Sequence, residues 1–141
     1  MDKDAFFWQT QDGRLPPPRA AATLGIKIIS VDAELGTIHV EFEGKPEFTN
    51  PAGQIQGGFL AAMLDDTMGP ALAAMLKRDE FAPTLNLNVN FVAPAKPGRI
   101  EGLGRVIRKG KRACLLSAEL TQDSTLIATA NATALIQTLK T

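Results

Sequence analysis

Apolar and polar residues change their rhythm along this chain. Over residues 84–91 they alternate strictly, with Leu85, Leu87, Val89 and Phe91 on one side and Asn86, Asn88 and Asn90 on the other. That is the period-two signature of a strand. Upstream, from Gly57 to about Lys77, Ala, Leu and Met fill the sequence with little regard to face. The composition favours a helix, and apolar character nearly all round predicts burial on most sides. Pro70 lies inside this stretch and has no N–H for the carbonyl of Asp66, so a kink or a break is expected there.

Residues 24–32 and 37–43, enriched in β-branched side chains, predict two strands joined at Glu34–Gly36. Residues 44–55 read as loop, marked by Gly44, Pro46, Asn50, Pro51 and Gly53. Beyond the alternating strand, residues 99–109, 111–121 and 125–137 predict three more, with turns at Gly110 and Gln122–Ser124. Phe6, Phe7 and Trp8 followed by Pro16, Pro17 and Pro18 predict a short helix and an extended proline stretch. Residues 1–23 thus form an N-terminal extension to a domain over 24–141. There is no internal repeat. Two strands, one long buried helix and four strands define an α+β fold, an antiparallel sheet wrapped around a single helix.

Composition narrows the function. The 141 residues suit one domain with a proper core, and 45% apolar with 21% charged residues is a globular balance. A net charge of zero gives no field to gather nucleic acid or an anionic membrane. The charge is uneven, however: residues 1–70 carry ten acids and five bases, and residues 71–141 the reverse. An anionic ligand is expected on the C-terminal half. Cys114 is the only cysteine, which points to a reducing, cytoplasmic setting, and the N-terminus lacks a signal peptide's apolar core. Asp65, Asp66 and Pro70 argue against reading Gly57–Leu76 as a membrane span. One histidine and one cysteine argue against a metal site; His39 is expected to be structural and Cys114 a core filler.

The chemistry concentrates between Asn50 and Asp66. Gly57 and Gly58 at a helix start expose backbone N–H groups at the positive end of the dipole, suited to a developing oxyanion. Equally, they could only ease the passage from loop to helix. Asp65 has Ala61, Ala62, Met68 and Gly69 one turn away, with no charge partner among them. A buried carboxylate without a mate points to function. Asp66 is expected to face solvent or a loop. The eight residues between Gly57 and Asp65 amount to about 12 Å of helix rise, too far for both to act on one carbon. If both are used, Gly57 of one chain must face Asp65 of another, so a homodimer is required.

The run from Asn50 to Asp66, together with Asn88-Val-Asn-Phe-Val-Ala-Pro-Ala-Lys96 and Gly98, resembles the hotdog-fold thioesterases of the phenylacetate-pathway type. The resemblance covers roughly residues 24–137. It implies dimers, usually tetramers, that hydrolyse acyl-CoA thioesters without a metal or other cofactor. By position it implies that Asp65 is nucleophile or general base and that the Gly57 N–H polarises the thioester carbonyl. Asn50 would orient carbonyl or water, Thr84 would help Asp65 hold water, and Gly58 would adjoin the substrate. Relatives commonly have His-Gly-Gly where this chain has Gln56-Gly57-Gly58, and Gln cannot titrate near neutral pH. Gly69-Pro70 also departs from the usual continuous helix.

Arg105, Arg108, Lys109, Lys111 and Arg112 place five bases across a predicted hairpin. They suit the phosphates of coenzyme A, or else form a solvated tip that discourages edge aggregation. Phe6, Phe7 and Trp8 are expected to pack against a neighbouring subunit rather than line an acyl pocket. A hydratase would pair a histidine with a carboxylate, for which His39 is poorly placed. A non-catalytic acyl-CoA binder is the alternative from another class, and a partnerless Asp65 argues against it.

Overall fold

A computed structural model of the chain describes residues 1–139, so the last two residues of the expected domain lie outside it. Six antiparallel strands form one sheet: β1 (Lys27–Asp32), β2 (Thr37–Gly44), β4 (Thr84–Phe91), β5 (Gly98–Lys109), β6 (Ala113–Gln122) and β7 (Thr125–Leu135). Their order is β1-β2-β5-β6-β7-β4, with β1 and β4 at the edges. The helix α3 (Gly57–Ala73) packs across the concave face. Its Leu60, Met63, Leu64, Met68 and Leu72 meet Val40, Phe42, Ile100, Leu116 and Leu120 from the sheet in one core. The predicted α+β arrangement is the one observed.

Helix and sheet approach closely because two core-facing positions on β5 carry no side chain. A Cβ on Gly102 would lie 2.6 Å from Thr67 Oγ1, and one on Gly104 would lie 2.9 Å from the Thr67 carbonyl oxygen. Thr67 is fully buried, and its hydroxyl donates to the Met63 carbonyl at 2.7 Å. The middle of α3 therefore rests on bare backbone, which fixes the turn that carries Asp65 and Asp66.

Several boundaries differ from expectation. The helix does not break at Pro70; it continues three residues further and stops at Ala73, short of Lys77. Packing on the sheet outweighs the one lost hydrogen bond. Residues 19–24 form a helix, α2 (Arg19–Leu24), where proline stretch and strand were expected. Ala20, Ala21 and Ala22 propagate it, and Gly25 ends it in the left-handed conformation (φ 64°). The last strand gives up its end: Gln137–Thr138 (β8) leave β7 to pair with Glu80–Phe81 (β3). A short 3-10 turn at Pro46–Phe48 interrupts the predicted loop, and Phe48 stacks on Phe59 of α3 with ring centres 4.2 Å apart.

The extension is tied down. In α1 (Phe6–Gln11), Phe7 is buried and the Trp8 indole N–H donates to the Ala74 carbonyl at 3.0 Å. Trp8 is thus held by its own chain, where contact with a neighbouring subunit was expected.

Candidate active site

Asp65 and Asp66 both border a cavity of about 990 Å³ between α3, the edge near Thr84 and the N-terminal extension. The Thr84 hydroxyl donates to Asp65 Oδ1 at 2.8 Å. Asp65 is thus only half-buried and has a partner, contrary to the expectation of a lone buried carboxylate. That partner comes from a strand nineteen residues downstream, beyond the reach of an argument from helix neighbours. The orphan is Asp66. Its Oδ2 is buried with no hydrogen-bond partner, and burial, with the Asp65 charge beside it, pushes its carboxyl up to about 7. The signal in the sequence was Pro70, four residues on, which leaves the Asp66 carbonyl without its helical donor as well.

Gly57 and Gly58 open α3, with Gln56 as its N-cap. Neither N–H has an acceptor among the described residues, so two donors stand free at the helix start. Gly57 also has a packing reason to be glycine, since an added Cβ would lie 3.0 Å from the Phe91 ring. Gly58 has none, with open space where its Cβ would be.

Asn50 holds the loop before the helix. Its Oδ1 accepts from the backbone N–H groups of Ala52 (3.0 Å) and Gln54 (3.2 Å), leaving Nδ2 available to a ligand. The Gln56 side chain is exposed and makes no hydrogen bond among the described residues. Because α3 is continuous from Gly57 past Asp65, their separation of about 12 Å is rigid within one chain.

Arg105, Arg108, Lys109, Lys111 and Arg112 are all exposed at the β5–β6 hairpin, and none forms an ion pair among the described residues. They do not border the cavity. Register nevertheless puts the Lys109 end of the hairpin level with Thr84: Thr84 pairs with Ala134, Ala134 with Cys114, and Cys114 with Lys109. Three strand spacings make that about 14 Å. His39 lies on the outer face of β2, its Nε2 3.8 Å from Glu101, away from the carboxylate pair. Cys114 is fully buried in the core, as expected. Phe6 and Phe7 do border the cavity, which corrects the expectation that they only pack. No group of three metal-ligating side chains occurs among the described residues. No helix there is long and apolar enough to cross a membrane.

A sheet wrapped on one helix, with a carboxylate on that helix and free N–H groups at its start, is the hotdog arrangement. The thioesterase superfamily model matches residues 52–129. A phenylacetic acid degradation-related protein from Ralstonia eutropha JMP134 superposes with a TM-score of 0.91 at 41% identity, covering 92% of this chain and 98% of that one. Human acyl-coenzyme A thioesterase 13 is 31% identical over 102 residues, 70% of this chain and 71% of its own length. The Escherichia coli PaaI protein shares the fold at a TM-score of 0.81 and 21% identity, covering 95% of this chain and 96% of that one. The chain belongs to the thioesterase superfamily: it is a thioester hydrolase of the hotdog fold.

Proposed function

We propose that this protein hydrolyses an acyl-CoA thioester, with Asp65 as the group that drives attack on the acyl carbon. The observation that carries the reading is the Thr84–Asp65 hydrogen bond at the border of the cavity. It holds one carboxylate oxygen in place and leaves the other for a water. Asp65 takes that water's proton as the hydroxide adds to the carbonyl carbon; the tetrahedral intermediate collapses, expelling the CoA thiolate and leaving the free acid. Attack by Asp65 itself, through a mixed anhydride opened by water, gives the same products.

The Gly57 N–H stabilises the oxyanion from a second copy of the chain. Two features support the dimer. The rigid helix keeps Gly57 and Asp65 too far apart to share a carbon. The edge strand β4, paired with β7 on one side only, also carries exposed Leu85 and Phe91 and runs on to exposed Val92. The acyl-CoA substrate is supported by the human relative's name and by the unpaired bases of the β5–β6 hairpin, within reach of an extended CoA. Gly58 and the Asn50 Nδ2 complete the donors around the thioester. Gln56 offers a hydrogen bond and no proton.

Thiol release from a panel of acyl-CoAs tests this on wild type and Asp65→Asn. Turnover in the wild type, reduced by two or more orders of magnitude in the variant, is expected. Equal turnover in both would refute the role of Asp65. Saturable binding with no wild-type turnover would make the protein an acyl-CoA binder instead.

A further inference from the structure

The cavity at Asp65 does not end at the carboxylate. It runs along α3 past Gly69 and Leu72 and is lined on the far side by Phe6, Leu15 and Pro17 of the N-terminal extension. These residues lie outside the stretch 52–129 that the superfamily model matches. The matched stretch supplies the reacting carboxylate, and the wall comes from residues before it. The extension is anchored by the buried Phe7, the Trp8–Ala74 hydrogen bond, and ion pairs from Arg78 to Asp2 and Asp4.

Gly69 faces it. It lies four residues after Asp65, hence on the same side of the helix, and it borders the same cavity. A Cβ there would meet nothing within 4 Å, so neither packing nor backbone conformation explains the glycine. In a helix interior glycine costs about 1 kcal/mol against alanine. What its missing side chain provides is room beside the reacting group.

We propose that the space between Gly69 and the wall of Phe6, Leu15 and Pro17 is the acyl compartment, and that these residues hold the distal part of a medium-to-long apolar acyl chain by contact. This rests on the hydrolase reading above. From Asp65 to Ala73 the helix alone supplies about 12 Å of wall, far more than an acetyl group can fill. Asp66 also borders this space; with its carboxyl raised to about 7, its uncharged form is accessible beside an apolar chain.

Gly69→Leu and Phe6→Ala test the assignment. Leucine is the better helix former and would project into the compartment, while Phe6 is about half exposed (51%) and its loss should leave the fold intact. The readout is the ratio of kcat/KM for dodecanoyl-CoA to that for butyryl-CoA. Gly69→Leu should lower this ratio about tenfold or more, and Phe6→Ala several-fold, both against the long chain. An unchanged ratio in both variants overturns the proposal. If Gly69→Leu fails to fold, Phe6→Ala decides alone. Binding of S-dodecyl-CoA and S-butyl-CoA thioethers, followed by calorimetry, gives the same ratio without turnover. A wild type that binds the long thioether better, a preference lost in the variants, upholds the compartment even if hydrolysis fails. A wild type indifferent to chain length sinks it even if hydrolysis succeeds.

Discussion

Asp66→Asn should stabilise the protein by an amount that grows with pH. In the folded chain the carboxyl stands at about 7 against an ordinary 3.8, raised first by burial and then by the Asp65 charge. The folded state holds this proton more tightly than the unfolded state. Its stabilising contribution is therefore complete below about pH 4 and is lost as the pH climbs to 7. The gap of about three pH units, at ~1.36 kcal/mol each, puts the full loss at roughly 4 kcal/mol. By pH 5 only about 1.5 kcal/mol of it has accrued. Asparagine carries no charge at either pH, and any cost of burying its amide is the same at both. The difference in unfolding free energy between variant and wild type should then be roughly 2–3 kcal/mol larger at pH 8 than at pH 5. Urea melts at the two pH values, at fixed salt and protein concentration, measure it. The same difference at both would mean that Asp66 is not a desolvated acid in the folded protein.

Thr84→Val, which removes the hydroxyl held 2.8 Å from Asp65, should cost about tenfold in kcat with little change in KM, whereas Thr84→Ser should keep most of the rate. Gly57 is the first helical residue, where the backbone accepts proline, so Gly57→Pro deletes the N–H donor, with the half-exposed Phe91 ring shifting to admit the new side chain, and should inactivate the enzyme. Mixing that variant with Asp65→Asn, after subunit exchange, should restore about a quarter of wild-type activity through hybrid dimers with one intact site; no recovery would deny a shared site. The KM for acyl-CoA should rise with ionic strength, and Arg108→Glu together with Lys109→Glu should flatten that rise. In urea, Gly102→Ala should destabilise by about 1–3 kcal/mol because its Cβ would press on Thr67 at 2.6 Å, while Gly58→Ala should stabilise by about 0.5–1 kcal/mol.

Much of this architecture was legible from rhythm alone. The alternation at 84–91 and the apolar run from Gly57 each announce one element, because strand and helix periods are local properties. What stayed hidden depends on residues far apart in the chain. Thr84 reaches Asp65 only because the edge strand folds beside the helix, so Asp65 looked partnerless and Asp66 looked innocuous. Reading those two acids correctly required knowing which of them meets the edge strand and which is left without a partner. The helix at Arg19–Leu24 was masked by the three prolines before it, although Pro18 stands at its N-cap and Gly25 closes it. Phe6 and Phe7 seemed mere ballast; only the course of the chain back along α3 turns them into part of a cavity.

The bare backbone under Thr67 bears on how this protein can change. Where helix and sheet touch through glycine, no substitution on either side is small, so drift in sequence is blocked at Gly102 and Gly104. Across the helix the situation reverses: Gly69 looks into open space and Phe6 is half exposed. Heritable variation is therefore channelled to one flank. A lineage of such chains can explore new substrates by rewriting the extension and the turn around Gly69, while the placement of its carboxylate stays fixed by the flank that cannot yield.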